Sequence, residues 1–158
     1  MPRLLHFSNR GIFVWFQYLA VRLIKYMKYS KWIGLAGACL LVVAAFLPWI
    51  TIESHHIVVS GVDATGTNYG KPAYVHFVLI PFFIVFTLMP KIWAKRWNLV
   101  VIALNTAWVI RNYLVIGTCK AGECPVRETG FYLMLLGAAM MLYAGLFPDV
   151  KIKTDSTV

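Results

Sequence analysis

Four long apolar runs, at residues 31–50, 73–89, 98–117 and 130–147, divide the chain, with polar or basic stretches between them. Each run approaches the length of about 20 residues that carries a helix across a hydrocarbon core. The pattern predicts four transmembrane helices joined by short connections, hence an all-α integral membrane protein built as a left-handed, antiparallel four-helix bundle. Small residues in the first run, Gly34, Ala36, Gly37, Ala38, Ala44 and Ala45, and in the fourth, Gly137, Ala138 and Gly145, predict faces where helix backbones come close. Pro81 lies inside the second run, where it frees a carbonyl and favours a kink.

Between the first two runs the period changes. ITIESHHIVVSG alternates and is rich in β-branched residues, and GVDATGTNYGKP is turn material, so residues 51–72 predict a short β-hairpin. Residues 118–129, TCKAGECPVRET, form a second loop on that side, and residues 90–97, PKIWAKRW, a tight connector on the other. Residues 1–30 are set apart by their charge pattern. Residues 11–29 predict an amphipathic helix, with Ile12, Phe16, Leu19 and Leu23 on an apolar face and Arg22 and Lys25 on another, too short and too charged to span. Met27, opening MKYSKW, offers a second start to the chain, and the basic start before a Val43-Ala44-Ala45 site also has features of a signal peptide. The run continues through Phe46 and Leu47 to Pro48 and Trp49, which favours an uncleaved span.

Composition agrees with this pattern. The 158 residues are 60% hydrophobic and only 13% charged, against about 25% charged in soluble domains. The formal charge of +9 does not imply a nucleic-acid partner, because the basic residues gather at span ends and not along a soluble face. The expected polyanion is anionic membrane lipid, met by the basic N-terminal segment. Eleven Lys and Arg residues lie in residues 1–31, the 90–97 connector and the tail at 148–158, against Lys71, Lys120 and Arg127 in the other two loops. This bias predicts that both termini are cytoplasmic. No N-x-S/T sequon occurs, which agrees with a bacterial inner membrane.

Candidate chemistry is sparse. Cys119 and Cys124 bracket KAGE in a loop placed outside, where thiols oxidise, and predict a disulfide; Cys39 reads as a small buried hydrophobe. His55 and His56, adjacent on a strand, point to opposite faces and do not make a metal site, and His76 near a span end reads as an interfacial hydrogen-bonding residue. No cofactor or metal is expected. Asn98, Asn105 and Asn112 recur every seven residues and so form one stripe on the third helix, which should face protein. Arg111 beside them is an intramembrane cation and marks a candidate site, with Glu123 or Glu53 its expected partner. The glycines of residues 66–72 allow tight turns that present Asn68, Tyr69 and Lys71 on the same side.

Two readings of function follow. No Ser/His/Asp set, carboxylate pair or phosphate loop is present, which favours a non-enzymatic accessory or scaffold subunit, packed as a homo-oligomer or in a larger membrane complex. The alternative is a lipid or small-solute binding or transport protein with an outward-facing polar pocket. That pocket would hold Asn68, Tyr69, Lys71, Asn105, Arg111, Asn112 and Glu123.

Overall fold

A computed structural model describes residues 29–53, 57–119 and 124–148. Among these, four helices and a small sheet follow in the order α1 (Ser30–Phe46), β1 (Pro48–Ile52), β2 (Ile57–Ser60), α2 (Tyr74–Leu88), α3 (Ile92–Ile116), β3 (Val126–Arg127) and α4 (Thr129–Leu146). Residues 11–28 of the expected amphipathic helix, the tail beyond Pro148, His55, His56 and Glu123 lie outside the described residues.

Helix α1 is shorter than its apolar run. It stops at Phe46 because a residue before proline is driven out of the helical region, and Leu47 is extended, with ψ of 155°. The Ala44 carbonyl at this end accepts from the Leu47 amide and, at 2.7 Å, from the indole N–H of Trp49. Trp49 is thereby turned inward, and the chain enters β1 with a bulge between Pro48 and Ile50. The reverse adjustment occurs at α3, which begins at Ile92, so most of the expected connector is the first turns of a 25-residue helix. Nothing after Pro90 breaks a helix there. α2 continues through Pro81.

The expected hairpin forms from β1 and β2, with Thr51 opposite Val58 and Ile52 opposite Ile57. It gains a third strand that local pattern did not announce. Residues 126 and 127 pair antiparallel with β1, giving the order β2-β1-β3 and tying the two loops of this end together. The Glu128 amide donates to the Trp49 carbonyl at 2.8 Å, and the Thr51 hydroxyl donates to the Glu128 carboxylate at 3.2 Å. Cys119 and Cys124 are joined by a disulfide.

The helices pack through small residues. A Cβ on Gly37 would lie 2.7 Å from the Gly137 carbonyl oxygen, and one on Gly137 would lie 2.9 Å from the Gly37 carbonyl oxygen, so α1 and α4 touch backbone to backbone. Around this crossing Leu41, Met134, Met141, Ile102 and Phe83 form a buried core that continues into Trp49, Ile50 and Phe131 beneath the sheet. Cys39, expected inside, is exposed. The reason is helical phase: Gly34, Gly37, Ala38 and Leu41 take the face toward α4, and position 39 falls away from it.

Helices α3 and α4 are long and apolar enough to cross a membrane, and only 28% and 39% of their most apolar windows are buried within the protein. α1 and α2, with 17 and 15 residues, are apolar but shorter.

Candidate functional site

The polar groups of the helices gather on one side of α3. Asn98, Asn105 and Asn112 are all buried, at 5%, 0% and 0% exposure, as a seven-residue spacing on one face requires. Each meets a different neighbour. Near the start of α3 the Asn98 side-chain amide donates to the Thr87 hydroxyl at 3.0 Å, and the Lys95 ammonium donates to the Thr87 carbonyl at 2.6 Å, so the facing ends of α2 and α3 are locked together.

Further along, the His76 ring nitrogen Nδ1 lies 2.7 Å from the Asn105 carbonyl oxygen, and the amide N–H of Asn105 points to the Met141 sulfur at 3.9 Å. Sulfur is a weak acceptor that takes the amide donor, so the carbonyl faces the imidazole and Nδ1 carries the proton. His76 Nε2 is then a bare acceptor, buried with no protein partner. This pair joins α2 to α3 and leans on α4.

At the sheet end the groups are engaged differently from expectation. Arg111 is exposed and lies over the Trp108 ring, 4.5 Å from its centroid, with a long 3.4 Å contact from Nη1 to the Asn112 carbonyl oxygen. It makes no ion pair with Glu53 or any other described acid. Trp108 lies one turn before Arg111 on the same helix, so the cation meets this ring before it can reach an acid of the loops. The indole N–H of Trp108 donates to the Pro72 carbonyl at 2.8 Å, anchoring the 66–72 loop on α3. In that loop Gly66 and Gly70 have φ of 83° and 70°, which allows the tight path, and Lys71 sits over the Tyr74 ring at 5.3 Å. Asn68 is exposed and Tyr69 is partly buried against the core.

Among the described residues, the expected site residues have separate surroundings. Asn105 is enclosed between helices, Arg111 and Lys71 each lie on an aromatic ring, and only Asn112 adjoins Arg111. Glu123 lies outside the described residues. Among protein-family models, curated proteins and solved structures, none matches this chain.

Several residues carry more of the geometry than their sequence context announced. Arg127 donates to the Gly117 carbonyl from both Nε, at 3.1 Å, and Nη2, at 2.9 Å, closing the C-terminal end of α3 while its guanidinium lies near the Tyr113 and Phe131 rings. His76 and Thr87 are eleven residues apart on α2, three helical turns, and so share the face that meets the asparagine stripe. That spacing was a signal available in the sequence. In the loop after β2, the Thr65 hydroxyl and then its backbone N–H hold the Asp63 carboxyl below the ordinary value of 3.8. Among the described residues no group of three metal-ligating side chains occurs.

Proposed function

We propose that this chain is a four-span protein of the bacterial inner membrane, with both ends cytoplasmic, that serves as a non-enzymatic accessory or scaffold subunit. One observation carries the scaffold reading: three polar side chains spaced along α3 are engaged in holding neighbouring segments. Asn98 holds Thr87, Asn105 holds His76, and Trp108 holds the Pro72 carbonyl. Buried interhelical bonds of this kind contribute about 0.6 to 2 kcal/mol each and define which faces meet.

The outer faces support the membrane part of the reading. Val78, Phe82 and Val85 on α2 and Leu104, Ile110 and Leu114 on α3 are about half exposed, a surface suited to acyl chains or to apolar helices of a partner. Trp93 and Trp97 project at the basic end and Tyr74 and Tyr132 at the sheet end, as residues of the two membrane interfaces do. α1 and α2 rise about 25 and 22 Å by helix geometry, so they suit a locally thin or tilted fit. The excess of Lys and Arg on the side opposite the sheet supports the orientation.

Protein purified in mild detergent should carry a stoichiometric protein partner, either a second copy or another membrane subunit, when the preparation is sized and analysed by mass spectrometry. A monomer that carries only a bound lipid or solute would overturn the scaffold reading. It would favour an outward-facing binding site at Arg111, for which the buried, unpartnered side-chain amide of Asn112 is the specific observation. Orientation is tested by a single cysteine at Ser60 or at Ser156. The first should react with a membrane-impermeant reagent in intact cells and the second should not.

A further inference from the structure

The end of the molecule opposite the sheet carries a groove that neither reading of the site uses. It lies between the first turns of α3 and the end of α4, with a volume of about 340 Å³. Ile92, Leu99 and Leu146 form apolar walls, and Lys95 and Arg96 form a basic rim. Lys95 lines the groove, and its ammonium donates to the Thr87 carbonyl at the end of α2. Arg96 is exposed and has no hydrogen-bond or ion-pair partner among the described residues. The described acids, Glu53, Asp63 and Glu128, all belong to the sheet and its adjoining loops at the other end of the molecule. Among the described residues the groove's lining is therefore apolar along the walls and cationic at one edge.

Two rings on another face of the same turns of α3 mark its level. Trp93 and Trp97 stand 6.4 Å apart there, and Trp93 meets Phe86 of α2 edge to face at 5.8 Å. Tryptophans in such a row favour the headgroup level of a bilayer, where a phosphate lies above its acyl chains. We infer that this groove binds one anionic phospholipid, its phosphate on the Arg96 guanidinium with Lys95 beside it and an acyl chain along Leu99 and Leu146. A guanidinium presents paired donors to phosphate oxygens, and the apolar walls distinguish a phospholipid from a free anion. The inference rests on the reading that α3 and α4 span a membrane.

The full chain, purified in dodecyl maltoside, is offered equal amounts of dioleoylphosphatidylglycerol and dioleoylphosphatidylcholine and observed by native mass spectrometry. The wild-type protein should retain the phosphatidylglycerol in preference. Arg96→Gln should lower that retention about five-fold, the weight of one basic residue against an anionic surface, and lower that of phosphatidylcholine, whose phosphate is offset by its own choline cation, by a smaller factor. Leu99→Trp, which fills the groove and keeps every charge, should lower retention of both lipids. Lys31→Gln, which removes a cation at the same end of α1, should leave the preference intact. Equal loss in Lys31→Gln and Arg96→Gln would reduce the effect to general surface charge and overturn the groove, as would full displacement of the lipid by inorganic phosphate. A chain that needs detergent but shows no lipid preference refutes the groove alone, whereas a chain that stays monodisperse without detergent refutes the membrane reading beneath it.

Discussion

Replacing Asn105 tests whether the buried pair with His76 holds α2 to α3. Asn105→Leu removes the acceptor 2.7 Å from His76 Nδ1 and leaves both ring nitrogens bare, since Nε2 has no partner already. His76→Phe leaves the Asn105 carbonyl bare, with only the weak 3.9 Å contact of its amide to Met141 remaining. A buried group left unsatisfied costs about 1 to 3 kcal/mol, and interhelical bonds within bilayers fall in the lower half of that range, so each single change should destabilise by about 1.5 kcal/mol. The double change removes both polar groups and leaves neither stranded. It should cost no more than about 1 kcal/mol, which makes the coupling about 2 kcal/mol in favour of the pair. The assay is unfolding in mixed micelles of dodecyl maltoside and rising dodecyl sulfate, followed by circular dichroism. Single-mutant costs that add to the double-mutant cost within about 0.5 kcal/mol would refute the pairing.

Protein prepared without reductant should expose one alkylatable thiol, Cys39, because Cys119 and Cys124 are bonded; removing that bridge should cost somewhat under about 3 kcal/mol, since it closes a short loop. A double-mutant cycle of Arg111→Gln with Trp108→Leu should give coupling of about 0.5 to 1 kcal/mol, while the cycle with Glu53→Gln should give none; the reverse order would restore an ion pair as the anchor of Arg111. Asp63 has a folded-state pKa below its ordinary value of 3.8, so its contribution to the loop is complete above that pH and is lost as pH falls through the lower folded value. The protection of the Thr65 amide, its exchange rate by NMR relative to the intrinsic rate at the same pH, should fall in that acid range, and Asp63→Asn should remove that fall.

How far the fold was legible in the chain can be judged from particular segments. Apolar runs located all four helices because a run of that length has few other places to go, and the alternating ITIESHHIVVSG located the hairpin because period two is a property of the strand's own backbone. The asparagine stripe could be read as buried from its seven-residue spacing alone, and the Cys119–Cys124 bridge from five positions of separation in a loop placed outside. The helix boundaries were less legible. Pro48 ended α1 earlier than hydrophobicity suggested, and α3 absorbed most of the connector, because hydrophobicity records solvent preference and not where backbone hydrogen bonding stops.

What each buried group would meet was left to tertiary structure. Sequence placed Arg111 near the loop acids, yet its side chain lies on Trp108 one turn away, and Asn105 meets His76 from a helix whose register no local pattern specifies. The two-residue strand at Val126 has too little alternation to declare itself and exists because β1 offers it an open edge. Cys39 turned outward because Gly37 and Gly137 bring α1 and α4 into backbone contact and thereby choose which face of α1 is inside. Periodicity along the chain determines which residues share a face; only the packing of distant segments decides what that face touches, because the energy of a contact belongs to both partners and the sequence near one of them describes only half of it.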